Sequence, residues 1–207
     1  MNRDMLNKLE LRRQFFHMLF GVGLVVLINV GILNFEIILI LLLLGIVLSI
    51  LSKRMKIPIV HWFLQRFERE DHLKKFPGKG VIFYLLGTAI IYGLFIHRPE
   101  GKNIIMASIM ILALGDSAPL FVRHIARIRH PLNDKKFLEG AILGAFLGFI
   151  GAVIFVHPLE ALIASSVAMF VEGIEIKLGM AEVDDNITIP FVAALVIWLV
   201  RLLQTAF

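Results

Sequence analysis

Cysteine is absent from all 207 residues, which excludes disulfides, thiolate metal ligands and thiol nucleophiles. Charge is scarce as well: Asp, Glu, Lys and Arg make up 18% of the chain against 58% hydrophobic residues, and the mean hydropathy is +0.86. That balance excludes an ordinary soluble domain. Neither a Walker-type phosphate loop nor a dinucleotide glycine fingerprint occurs, so the soluble nucleotide-binding folds are excluded too. There is no internal repeat, no low-complexity stretch and no symmetry between the halves of the kind that marks inverted-repeat transporters. The charged segment 1–13 leads into an apolar run without a small-residue cleavage site, so a removed leader is not expected.

What the chain has instead is a series of apolar runs at 15–33, 37–51, 81–96, 104–122, 141–156, 159–176 and 187–203. A bilayer core takes roughly 20 apolar residues in a helix, so the shorter runs must borrow flanking residues. The expectation is an all-α, polytopic integral membrane protein with about seven transmembrane helices, six or eight being the alternatives. Residues 1–207 are expected to form a single membrane-embedded domain, with no length left over for a soluble catalytic one.

Orientation follows from Lys and Arg, which short cytoplasmic loops retain. With the amino terminus inside, 18 of the 21 basic residues fall on the inner side. Four lie between Arg3 and Arg13, eight between Lys53 and Lys79, five between Arg123 and Lys136, and Lys177 stands alone. Only Arg98, Lys102 and Arg201 fall outside. The net charge of +5 and pI near 9.7 are thus explained by topology and anionic lipid, and no nucleic acid partner is expected.

The longest loop carries Ile57, Val60, Phe63, Leu64 and Phe67 at helical spacing, with Arg66, Glu68, Arg69 and Glu70 among them. This predicts an amphipathic helix in the cytoplasmic membrane interface, a solvated linker being the plainer reading. Pro77-Gly78-Lys79-Gly80 then breaks the chain. Gly140, Gly144 and Gly148, with Gly151 nearby, form a small-residue stripe read as helix packing.

Ionisable groups inside membrane helices are costly and point to function. Asp116 lies within the fourth run and Glu172 and Glu175 near the end of the sixth; Glu139 opens the fifth, Asp184-Asp185-Asn186 precede the seventh, and His17 sits just inside the first. All fall toward the inner side. Carboxylates beside many cations at one face suit a metal-bound polyphosphate, because Mg²⁺ is held by one or two carboxylates plus substrate phosphates. Phosphoryl transfer needs mainly positioning and charge neutralisation. Asp116, Asp184 or Asp185 could bind metal, one carboxylate could accept a proton, and the basic loop before residue 137 could clamp phosphates. Plainer roles stay open: Asp184-Asp185-Asn186 as a helix cap, Glu139 at a helix dipole, Lys135 and Lys136 as topology determinants, His17 as an interhelical donor. Asp116 has no such alternative.

Several segments together resemble the polyprenol kinase family, which comprises dolichol kinase, phytol kinase and the CTP-dependent diacylglycerol kinase and is distantly related to phosphatidate cytidylyltransferase. They are Glu10-Leu11-Arg12-Arg13 with His17 and Gly21; Phe67-Glu68-Arg69; Gly80 with Tyr84 and Gly87; and Leu114-Gly115-Asp116-Ser117-Ala118. Pro131-Leu132-Asn133, Lys135-Lys136, Leu138-Glu139-Gly140, Glu172 and Asp184-Asp185-Asn186 with Thr188-Ile189-Pro190 complete the ordered set. The chain departs from the pattern at Pro119 and Phe121-Val122-Arg123, and at Phe137, where a threonine is common.

The resemblance implies transfer of the γ-phosphoryl group of CTP to a membrane lipid alcohol, with Mg²⁺ or Mn²⁺, at a site facing the cytoplasm of a multi-pass cell-membrane protein. It implies catalytic roles for Asp116, Asp185 and His17, metal binding by Asp116, Asp184, Asp185 and Glu172, and nucleotide binding by Arg123, Asn133, Lys135, Lys136, Glu139 and Gly140. A polyprenol or dolichol is the first choice of acceptor, then diacylglycerol, then phytol. A CDP-lipid synthase and a small transporter are the competing classes, and the sequence leaves open whether the chain forms a homo-oligomer.

Overall fold

The computed structural model describes residues 3–55, 57–68, 73, 75–122, 125–131, 133–174, 177–178 and 181–206. Helices dominate. In chain order they are α1 (Arg3–Asn29), α2 (Phe35–Arg54), α3 (Pro58–Phe67), α4 (Lys79–Phe95), α5 (Gly101–Met110), α6 (Leu138–Ala152), α7 (Pro158–Glu172) and α8 (Asp185–Ala206). A π-helical turn, Ile111–Gly115, and a short helix, Pro119–Val122, continue α5. Seven helical segments therefore overlie the seven apolar runs. Four of them, Lys8–Asn29, Phe35–Arg54, Gly101–Val122 and Asp185–Gln204, are long and apolar enough to cross a membrane. The outward faces are apolar too, as at Leu43 and Ile142, each 63% exposed. The chain is a membrane protein.

Local chemistry sets the corners. Gly31 takes a left-handed conformation (φ 78°) that only glycine adopts freely, ending α1, and the Asn34 side chain then caps α2 by accepting from Ile37 N at 2.9 Å. Pro58 starts α3 at the position where a missing N–H costs nothing. The amphipathic segment of the long loop is thus helical, as its spacing predicts. His157 and Glu160 form a reciprocal capping box on α7.

The centre of the bundle is α5, where Ile104, Ile105, Ala107, Ile109, Ile111, Leu112 and Ala113 have no exposed surface. The glycine stripe of α6 packs against it. A Cβ on Gly144 would fall 2.9 Å from Gly115 O, and one on Gly148 would meet Ile111 and Ser165 at 3.4 Å. That is the close approach the stripe implies. A second close contact joins α4 to the start of α8. Pro190 withholds the N–H that Asn186 O would accept in a regular helix, and Gly87, lacking a side chain, lets α4 lie directly on that carbonyl.

Two small antiparallel hairpins interrupt the helical plan: β1 (Arg129–His130) with β2 (Asn133–Phe137), and β3 (Lys177–Leu178) with β4 (Ala181–Glu182). Apolar periodicity predicts neither. Both lie at the end of the bundle where α1, α4, α6 and α8 begin and α5 and α7 finish.

Candidate active site

The π turn decides where Asp116 stands. It inserts an extra residue into the last turn of α5, a feature frequent at functional sites, and stops at Gly115, so Asp116 follows with its N–H on Leu112 O at 3.2 Å. Ser117 Oγ donates back to Ala113 O at 3.0 Å and to Gln14 Oε1 at 3.3 Å, which fastens the turn to α1. Glu172 ends α7 and is buried; Asp185 opens α8. One carboxylate oxygen from each of Asp116, Glu172 and Asp185 lies within 4.8 Å of the others.

Lys136, projecting from β2, spans two of the three. Its Nζ lies 3.0 Å from Glu172 Oε1, 3.2 Å from Asp185 Oδ2 and 2.6 Å from the Glu172 carbonyl. Burial alone would lower its pKa, but the Glu172 and Asp185 carboxylates outweigh that and raise it, so the side chain stays an ammonium. One ammonium set against three carboxyl groups leaves formal negative charge in a half-buried place, where an uncompensated charge is costly. Hard oxygen donors from three helices fit a divalent cation such as Mg²⁺, and Lys136 stands beside them as a partial substitute.

The trio lines a cavity of about 530 Å³ at the basic end of the bundle. His17 also lines it, with Nε2 at 3.5 Å from Asp116 Oδ2. Asp184 takes a different part from its neighbour: Lys79 Nζ pairs with its Oδ2 at 3.0 Å, and Asn186 donates to its Oδ1 through Nδ2 (2.7 Å) and N (3.2 Å). Asp184 is therefore the cap that the sequence allows, while Asp185 joins the acidic group.

The remaining expected site residues lie elsewhere. Glu139 accepts from the backbone N–H groups of Arg127 (2.8 Å) and Ile128 (3.0 Å), and these bonds hold its pKa below the usual carboxylate range. It ties the loop to the start of α6. Gly140 lies against Pro119 and lines a smaller cavity of about 170 Å³ that shares Lys136 and Glu172 with the larger one. Asn133, on β2, is not among the residues lining either cavity. Arg123, Glu175 and the side chain of Lys135 lie outside the described residues.

Among the cavity residues that escape prediction as site residues are Lys79 and Tyr84. Lys79 reads in the sequence only as one more inner-side cation; its place after Pro77-Gly78, with Gly78 in a left-handed conformation (φ 76°) at the α4 start, is the signal that aims it. Tyr84 is 1% exposed, packs on the His17 ring at 4.8 Å between centroids, and sits where a side chain on Gly21 would be. The grouping of His17, Gly21 and Tyr84 is thus one packing unit beside Asp116.

No protein-family profile matches the chain, and no solved structure matches it. The chain is 32% identical over 194 residues to the uncharacterized protein MJ1137 of Methanocaldococcus jannaschii, an alignment covering 91% of this chain and 92% of that protein. With a bundle, an acidic trio and a basic hairpin now described for one member, the chain belongs to the family of that archaeal protein.

Proposed function

We propose that the protein is a CTP-dependent lipid-alcohol kinase, transferring the γ-phosphoryl group of CTP to a polyprenol- or dolichol-type alcohol in the cell membrane. In this reading seven helices cross the bilayer, the amino terminus is inside and the cavity opens to the cytoplasm. The observation that carries it is the meeting of Asp116, Glu172, Asp185 and Lys136 in one cavity at the basic end of the bundle. A polyphosphate needs both signs of charge at one place: cations for its oxygens, and acids for a metal and for a proton.

Bound by the three carboxylates, Mg²⁺ or Mn²⁺ would neutralise charge on the transferring phosphoryl group. Lys136 and Lys79 supply further positive charge to the phosphates. The acceptor oxygen forms its bond to the γ-phosphorus as the bond to the β,γ-bridging oxygen breaks. CDP leaves with that electron pair, and the hydroxyl proton passes to Asp116. His17, with Nε2 3.5 Å away, stands beside this carboxylate. The fixed geometry of three helix ends supplies the positioning on which phosphoryl transfer chiefly depends.

The test uses membranes containing the protein, a polyprenol, and CTP labelled at either the γ or the α phosphorus. Label reaching the lipid from γ but not from α is the expected result. Transfer from α would make the protein a cytidylyltransferase, and no transfer to polyprenol, diacylglycerol or phytol would remove the kinase reading.

A further inference from the structure

Two unlike groups of side chains line the cavity. Asp116, Glu172, Asp185 and Lys136 make one. The other is four phenylalanines, Phe16 and Phe20 from α1 and Phe63 and Phe67 from α3. Each pair is spaced four residues apart, so each lies on one helix face, and the two faces meet. Phe16 stands 4.9 Å from Phe63 and 5.2 Å from Phe67 between ring centroids, and Phe63 stands 4.8 Å from Phe67. Phe20 continues the row to Tyr84 at 5.3 Å, and Tyr84 to His17 at 4.8 Å. His17 is the seam, touching the aromatic row on one side and Asp116 on the other.

Phenyl rings offer no hydrogen-bond donor or acceptor, so these side chains give a phosphate or a sugar hydroxyl no hydrogen bond. They match hydrocarbon. The helices that carry them are apolar on their outer faces as well: Ile59 and Trp62 of α3 are 82% and 58% exposed, Phe15 and Leu19 of α1 58% and 56%. The Arg66 guanidinium lies 5.5 Å from the Trp62 ring centroid, the pairing of an amphipathic ring with a long cation that seats helices at a membrane surface. Carbon surface thus runs on both sides of α1 and α3, from the lipid-facing exterior to the cavity.

We propose that the aromatic wall between α1 and α3 binds the hydrocarbon chain of the lipid acceptor, which comes from the surrounding bilayer and presents its hydroxyl past His17 to Asp116. This rests on the kinase reading of the acidic group, and it assigns the acceptor and the nucleotide to different side chains of one cavity.

The test has two arms. In the first, Phe63→Ala and Phe67→Ala are assayed in the full-length protein with a long and a short prenol. Apparent KM for the long prenol rises about tenfold per ring removed, KM for CTP is unchanged, and the short prenol is affected less. A raised KM for CTP with an unchanged one for prenol would overturn the proposal in favour of base stacking; no change in either would also overturn it. The second arm needs neither variants nor turnover. A long prenol carrying a photoreactive group near its hydroxyl-distal end is irradiated with the wild-type protein, and the labelled peptides are mapped. Labelling of the segments holding Phe16, Phe20, Phe63 and Phe67, suppressed by unlabelled prenol, supports the site. Labelling only elsewhere overturns it. Should the wild type transfer no phosphate to any lipid alcohol, the kinase reading falls while this second arm still decides the wall.

Discussion

Both ends of the bundle bring a basic side chain against carboxylates, and the two meetings are built to different proportions. At the α7 start and α8 finish, Arg201 meets Glu160 through two parallel contacts of 3.0 Å, Nε to Oε1 and Nη2 to Oε2. Nη2 also reaches Glu100 at 3.3 Å, and the remaining nitrogen, Nη1, donates to the Pro99 carbonyl at 3.4 Å. Glu160 is buried and also accepts from His157 N. Donors and acceptors there face one another, and the buried charges, Arg201 and Glu160, pair one to one, while Glu100 is 66% exposed to solvent. At the opposite end three carboxyl groups share Lys136, and a cavity of about 530 Å³ adjoins them. A saturated buried pair is a joint. A part-buried cluster with more acid than base and room beside it has the character of a binding site.

That contrast can be broken experimentally, and the largest effect is expected at the surplus end. Asp116→Asn keeps shape and volume but removes one of the three acids. Transfer of γ-label to lipid should fall by roughly a hundredfold or more while the protein still elutes as a single species in detergent. Near-normal turnover would remove Asp116 from the chemistry. At the balanced end the expected loss is of stability. Glu160→Ala leaves Arg201 without its buried carboxylate, which costs about 3 kcal/mol and appears as a lowered Tm in detergent. Turnover per folded molecule at low temperature should be kept; if it is lost as well, the two ends are not separable as joint and site.

The smallest effect sharpens the boundary of the site. Glu139, with its pKa lowered by the N–H groups of Arg127 and Ile128, contributes its tether above the ordinary carboxylate range and loses it as pH falls through the depressed value. Amide exchange at Arg127 and Ile128 should quicken on acidification, and at neutral pH in Glu139→Gln. Turnover in that variant should change by less than about twofold. A large loss of turnover would bring Glu139 back into the nucleotide site that the family resemblance assigns it.

Asp116 was legible in the sequence because an acid within an apolar run is costly to hold there and has neither a helix end to cap nor an interface to face. Glu172 and Asp185 were legible because they border runs on the same side. The glycine stripe and the amphipathic helix followed from periodicity, which is a local property. What stayed hidden is non-local. Lys136 meets Glu172 and Asp185 from 36 and 49 residues away, brought there by a hairpin that apolar spacing does not encode. Arg201, by spacing only a stray outer-side cation, is the partner of Glu160, 41 residues distant. Asp184 and Asp185 differ in role although adjacent, because Asp184 precedes α8 and caps it through Asn186 N, whereas Asp185 is the first residue of the helix itself.

The π-helical turn at Ile111–Gly115 makes the spacing between the core of α5 and Asp116 a matter of residue count rather than of composition. A chain shortened by any one of those five residues could close a regular α-helix, and every apolar contact of the central helix above it would survive. Asp116, however, would be carried round by roughly a quarter-turn, away from Glu172 and Asp185. Insertions and deletions in this short stretch would therefore leave the packing of α5 before Ile111 in place and turn Asp116 relative to the other acids, so its length is the feature to examine first when other members of the family are compared.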